Sequence, residues 1–125
     1  MTGHPLTILV VDDEETIRDS LQIFLEHKGW NVVTAASAEQ AMEVLARQHC
    51  DGAIMDIRLP GQSGDAMIVA LQPRYPDMKW LICTGSMSFS LGPELAAAGV
   101  TPQDVFTKPV ADMGLLADRL QHLLE

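Results

Sequence analysis

Five short apolar segments alternate along the chain with stretches in which apolar residues recur at helical spacing. The apolar segments span residues 6–11, 31–36, 52–56, 79–85 and 104–108, and each has the length of a β-strand. The first and the fourth are almost continuously hydrophobic, which is typical of strands buried on both faces. The pattern therefore predicts five strands in one sheet.

Helical periodicity fills the intervals between these strands. The first predicted helix has one apolar stripe, formed by Ile17, Leu21, Phe24 and Leu25. Gly29 stops this helix, and Ser37 and Gln40 start the second at capping-box spacing. Three further helices are predicted in residues 64–72, 94–99 and 112–125. Such alternation of strands and helices predicts an α/β fold, a single doubly wound five-stranded parallel sheet with helices on both faces.

Length and charge narrow the choice of partners. The 125 residues are expected to form one domain, residues 1–125. The formal net charge is −9, with 17 acids against 8 Lys and Arg, which argues against direct binding to nucleic acid or to an anionic membrane.

Cys50 and Cys83 are expected to be small buried hydrophobes in a reducing compartment. No signal peptide or membrane span is apparent, so a cytoplasmic protein is expected.

Chemically active side chains follow four of the five predicted strands. Asp12 and Asp13 follow the first strand, Asp56 closes the third, Thr84 follows the fourth and Lys108 closes the fifth. In open sheets of this kind, functional groups gather outside the carboxyl ends of the strands. Three crowded carboxylates would raise one another's pKa, and a divalent cation such as Mg²⁺, which prefers oxygen ligands, relieves that cost. The lysine and the threonine then predict a phosphoryl anion, with a carboxylate as its covalent acceptor.

Four motifs carry a resemblance to a known family. They are "VVDDEE", "MDIRLPGQSG", "ICTGS" and "FTKP", at the ends of the first, third, fourth and fifth strands. With them the whole chain closely resembles the receiver domain of two-component response regulators. The resemblance implies the flavodoxin-like strand order 2-1-3-4-5. It also implies a sensor histidine kinase or phosphotransfer protein as phosphoryl donor, and a downstream effector protein or domain as the recipient of the signal.

The resemblance also assigns roles to individual residues. Asp56 would accept the phosphoryl group, Thr84 would bind a phosphoryl oxygen, and Lys108 would pair with the phosphoryl group. Mg²⁺ would be held by Asp12, Asp13, Asp56 and the backbone carbonyl of Arg58. The Lys108–Pro109 bond is cis in the family, and Ser86 stands where the family tunes the lifetime of the phosphoryl group.

The chain departs from the family in the fifth strand. The position three residues before the lysine usually carries Tyr or Phe, and here it is Val105, with Phe106 one place later. Successive strand residues point to opposite faces, so Phe106 is expected in the core rather than in a switch. Glu14 and Glu15 are expected to turn away from the site and start the first helix, where acids are favoured.

Three other functions share features with this sequence. A phosphatase of the haloacid-dehalogenase type needs a second Asp two residues after the acceptor, where this chain has Arg58. A flavodoxin-like carrier of FMN needs a phosphate loop after the first strand, where four acids would repel the phosphate. A docking module that works without phosphorylation remains open because of Val105.

Overall fold

The computed structural model of the protein describes residues 5–85, 89–108, 110 and 112–125. Within them, the strands are β1 (Thr7–Val11), β2 (Asn31–Ala35), β3 (Gly52–Met55), β4 (Lys79–Thr84) and β5 (Val105–Thr107). The helices are α1 (Glu15–His27), α2 (Ala38–Arg47), α3 (Gly64–Leu71), α4 (Pro93–Ala97) and α5 (Met113–Leu124), with a 3-10 turn at Pro102–Asp104. Ser86 and Pro109, for which the sequence suggested roles, lie outside the described residues. Among the described residues, no helix is both long enough and apolar enough to cross a membrane.

All the strand pairs in the described sheet are parallel, and the strand order is β2-β1-β3-β4-β5. This confirms the doubly wound α/β fold and its order 2-1-3-4-5. The central strand β3 is flanked by β1 and β4, with Val11 beside Met55 and Met55 beside Ile82. Because the central strands end at nearly the same level, the residues that follow them emerge together at one edge of the sheet.

The period-two alternation of strand side chains divides the core between the two faces of the sheet. Ile8 and Val10 belong to one buried cluster, together with residues of α1 and α5. Leu9 and Val11 belong to the other, together with residues of α2 and α3. Burial on both faces explains why β1 reads as a nearly continuous apolar run.

Local signals explain where the helices begin and end. Ser37 caps α2, with its hydroxyl accepting a hydrogen bond from the backbone N–H of Gln40 at 3.2 Å. The Gln40 side chain reaches back one residue further than a capping box requires and accepts from the N–H of Ala36 at 2.7 Å. Gly92 and Pro93 begin α4, and Gly99, with a φ of 98°, follows its end.

A buried ion pair fastens the segment before β5 to α5. The Asp104 side chain is 1% exposed and accepts a hydrogen bond from Arg119 Nε at 2.6 Å. Its second oxygen accepts from the backbone N–H of Thr101 at 2.8 Å and from the Thr101 hydroxyl at 3.0 Å. All these contacts satisfy a carboxylate that would be costly to bury alone. They fix the approach of the chain to β5, the strand that Lys108 follows.

Candidate functional site

The two buried acids of the site are held by the sheet itself. The backbone N–H of Asp12 donates to the carbonyl of Ala35 at 3.1 Å, and that of Asp56 donates to the carbonyl of Val11 at 2.9 Å. Both residues thus extend the hydrogen bonding of the parallel strands by one step, which ties their backbones to the sheet. Asp12 is 2% exposed and Asp56 is 4% exposed. Their carboxylates therefore sit in a partly dry pocket at the carboxyl edge of the sheet.

Lys108 brings its ammonium into this pocket from the end of β5. Nζ lies 2.7 Å from Asp12 Oδ2 and 3.1 Å from Asp56 Oδ2. It also lies 3.1 Å from Glu14 Oε1. The lysine side chain is only 10% exposed. The convergence of acids and ammonium that the strand ends predicted is thus present in the fold.

Asp13 completes a group of three carboxylates. One side-chain oxygen from each of Asp12, Asp13 and Asp56 lies within 4.8 Å of the other two, and Asp13 is exposed where the other two are buried. Hard oxygen donors that converge from three residues, with one side open to solvent, fit a Mg²⁺ ion that keeps some of its waters. The donor set therefore fits the ion that the sequence suggested.

The pKa values of Asp56 and Lys108 follow from burial and from charge. Burial raises the pKa of Asp56 above its ordinary value, and the charge of Asp12 raises it further. Lys108 opposes both effects, as does the backbone N–H of Arg58. Burial alone would lower the pKa of Lys108, but its hydrogen bonds to the acids outweigh burial and hold that pKa above its ordinary value. The ammonium therefore stays charged at neutral pH and compensates acids that the fold has crowded together.

A glycine allows α3 to start directly against the backbone of Asp56. A Cβ atom on Gly64 would lie 1.8 Å from the Asp56 carbonyl oxygen and 2.8 Å from Met55 Cγ. The Gly64 N–H donates to the carbonyl of Ile57 at 2.7 Å, which closes the loop between β3 and α3. The "PGQSG" stretch therefore needs glycine at its end because backbone packs on backbone there.

Thr84 and Arg58 lie next to Lys108 and Asp56, respectively. Thr84 is buried at the end of β4, and its carbonyl accepts a hydrogen bond from the backbone N–H of Lys108 at 2.8 Å. The N–H of Arg58 lies 3.4 Å from Asp56 Oδ1, at the long limit of a hydrogen bond. The structure thus places both residues beside the acid pocket.

Two residues of the site were missed or misjudged from the sequence. Glu14, expected to turn away, instead points its carboxylate at Lys108, so that expectation was wrong for this residue. Arg18 donates from Nη1 to the backbone carbonyl of Asp12 at 2.7 Å. Its position in α1, one helical turn after Glu14, was the only sequence signal for such a contact.

The departure in β5 has the structural outcome that alternation predicts. Val105 packs against the core cluster that contains Leu9, and Phe106 packs against the opposite one, which contains Ile8. Phe106 therefore serves as a core residue, as expected. Position 105, on the face of β5 that packs against the cluster containing Leu9, therefore carries a valine where the family usually has an aromatic residue.

Comparison with known proteins adds family information to this geometry. The family model described as the response regulator receiver domain matches residues 8–121. A curated relative, the probable transcriptional regulatory protein TcrX of Mycobacterium tuberculosis, is 33% identical over 109 residues, which are 86% of this chain and 45% of that protein. The chain thus spans less than half the length of this relative.

Solved structures agree with the fold in detail. A CheY-like response regulator receiver domain protein from Methanospirillum hungatei superimposes with a TM-score of 0.83 at 29% identity, covering 96% of this chain and 94% of that one. The response regulator TrrA from Thermotoga maritima, solved in complex with Mg²⁺ and BeF, gives a TM-score of 0.81 at 27% identity, with coverages of 94% and 98%.

Proposed function

Because the chain belongs to the family of response regulator receiver domains, we propose that it accepts a phosphoryl group on Asp56 in a Mg²⁺-dependent reaction. The observation that carries the proposal is the position of the Asp56 carboxylate. It is buried at the end of the central strand, 3.1 Å from the Lys108 ammonium and within 4.8 Å of oxygens from Asp12 and Asp13. We further propose that residues 1–125 form one receiver domain.

In the transfer step, a carboxylate oxygen of Asp56 forms a bond to phosphorus while the bond from phosphorus to the donor breaks. The donor atom, a histidine nitrogen in the proposed partner, keeps the electron pair of that bond. Such transfers depend on positioning and on neutralisation of charge more than on covalent assistance from the protein. Bound Mg²⁺ would supply most of that neutralisation, held by Asp12, Asp13, Asp56 and the carbonyl of Arg58.

The remaining roles belong to side chains around the acceptor. Lys108 already lies beside Asp56 and would pair with the arriving phosphoryl oxygens. Thr84, at the end of the neighbouring strand, would donate its hydroxyl to one of them. In this scheme the protein assists its own modification, and the aspartyl phosphate is the signal.

Family membership also supports the wider setting of the reaction. We propose that the phosphoryl group comes from a sensor histidine kinase or a phosphotransfer protein, and that a downstream effector protein or domain reads the phosphorylated state. The net charge of −9 suits a partner with a basic surface better than DNA or an anionic membrane. A cytoplasmic location fits these partners.

The test is a measurement of intact mass. The protein is incubated with Mg²⁺ and a small phosphodonor such as acetyl phosphate, with Asp56→Asn as the matched variant. The wild type should gain the mass of one phosphoryl group, and both Asp56→Asn and a sample with EDTA should not.

The absence of an adduct with any donor would refute the assignment. It would favour the docking module instead, which Val105 supports because the usual aromatic residue is missing from position 105. A separate titration with Mg²⁺, monitored by NMR chemical shifts, should change the shifts of the wild type and change those of Asp13→Ala less.

A further inference from the structure

The Lys108 ammonium is shared among three carboxylates that differ in exposure. Its three N–H donors match the three acceptor oxygens on Asp12, Asp56 and Glu14. Asp12 and Asp56 are buried and belong to the group that fits a metal ion, whereas the Glu14 side chain is 57% exposed and lies outside that group. Of these three acids, Glu14 is therefore the one that neither a metal ion nor a phosphoryl group requires.

Residue 14 contacts both members of the buried Asp12–Lys108 pair. Its backbone N–H donates to Asp12 Oδ1 at 2.9 Å, and its side chain accepts from Lys108 Nζ at 3.1 Å. Glu14 occupies the N-cap position of α1, yet its side chain makes no capping hydrogen bond there. The carboxylate is thus used for the ammonium and not for the helix end, where acids are ordinarily favoured.

We propose that Glu14 is a positioning residue that holds the Lys108 ammonium at the mouth of the pocket during phosphoryl transfer. The inference rests on the function proposed above. Once Asp12 and Asp56 are shared with a cation and a phosphoryl group, Lys108 loses two of its three partners. If the Glu14 carboxylate were removed as well, the lysine side chain would lose its last carboxylate partner and regain rotamer freedom. Ordering it again for the transfer would cost free energy and slow the reaction. Glu14 keeps the ammonium in place, so one donor can turn to the phosphoryl oxygens.

The test compares Glu14→Gln with Glu15→Gln. Both changes remove one negative charge, at neighbouring exposed positions, and the ion pairs among the described residues include Glu14 but not Glu15. Less negative charge near the pocket should by itself speed the approach of an anionic phosphodonor in both variants. Loss of the contact with Lys108 should slow the reaction instead. Glu14→Gln should therefore react with acetyl phosphate about two- to fivefold more slowly than the wild type. Glu15→Gln should match or exceed the wild type.

A second measurement follows the ammonium directly in the metal-free protein. The Lys108 NH₃⁺ signal in ¹⁵N-edited NMR spectra should exchange its protons with water faster in Glu14→Gln than in the wild type or Glu15→Gln. Either an unchanged exchange rate in Glu14→Gln, or a reaction rate for this variant equal to that of Glu15→Gln, would overturn the proposal. If the wild type forms no adduct, the proposed function fails, and the proton exchange rate still decides whether Glu14 holds Lys108.

Discussion

Replacing Gly64 by alanine tests the close approach of α3 to the backbone of Asp56. The new Cβ would lie 1.8 Å from the carbonyl oxygen of Asp56, whereas ordinary contacts begin at 3.4 Å. The obstructing atom belongs to the backbone, so no side chain can rotate away, and α3 must shift relative to β3. Overpacking of this kind costs about 2–3 kcal/mol, of which the better helix propensity of alanine recovers less than 1 kcal/mol.

Thermal unfolding measures this cost. The net cost is then about 1–3 kcal/mol, so at roughly 4 °C per kcal/mol for a domain of this size Gly64→Ala should lower Tm by about 4–12 °C. Gly92→Ala is the matched control, because a Cβ there meets nothing within 4 Å and its φ is −87°. That control should stay within about 0.5 kcal/mol of the wild type.

The same displacement should also affect the chemistry. A shift of about 1 Å in a reacting group can cost up to a hundredfold in rate. Phosphorylation of Gly64→Ala should therefore slow by at least about tenfold at a temperature where the variant remains folded. A variant that melts within 1–2 °C of the wild type (about half a kcal/mol) would refute the close approach of α3 to Asp56.

Three further predictions concern charge. In metal-free buffer, Asp56→Asn should raise the free energy of unfolding at pH 7, because the folded state raises the pKa of this carboxyl through burial and the charge of Asp12. The gain should shrink as pH falls through the raised pKa towards the ordinary 3.8, and urea titrations that find the variant less stable at pH 7 would contradict this sign. Arg119→Gln should cost about 2–4 kcal/mol by leaving Asp104 buried without its charged partner, and adding Asp104→Asn should recover much of the loss in denaturant titrations. Arg18→Met should weaken Mg²⁺ binding about tenfold by calorimetry, since its contact with the Asp12 carbonyl orients a proposed ligand; equal affinity would exclude that role.

The fold could be predicted because local patterns determine it. Continuous apolar runs indicate strands with both faces buried, and their alternation with amphipathic segments leaves few arrangements other than a doubly wound sheet. The period of two along β5 was enough to assign Val105 and Phe106 to opposite faces, and the structure confirms this. The approach of Lys108 to Asp12 and Asp56 was also predictable, because parallel strands end at one edge.

Contacts that depend on side-chain direction could not be predicted in the same way. Glu14 and Glu15 are chemically equivalent as acids at a helix start, and only the position of Lys108, 94 residues further along, separates their roles. Gly64 ends the motif "MDIRLPGQSG", but its close approach to the Asp56 carbonyl depends on how α3 packs against β3. The contact of Arg18 with the Asp12 carbonyl likewise depends on the exact turn between β1 and α1.

The placement of Lys108 after β5 makes the charge compensation of the acid pocket depend on the edge strand of the sheet. Among the described strands, β5 has three residues and pairs with β4 alone, whereas the acids follow strands paired on both sides. Edge strands open locally more easily than the centre of a sheet. Each opening would withdraw the counter-ion and leave Asp12 and Asp56 to repel each other. The backbone N–H of Lys108 donates to the Thr84 carbonyl, so its hydrogen exchange with water measures how often this end of β5 opens. The same exchange rate therefore shows how often the acids that follow β1 and β3 lose their counter-ion.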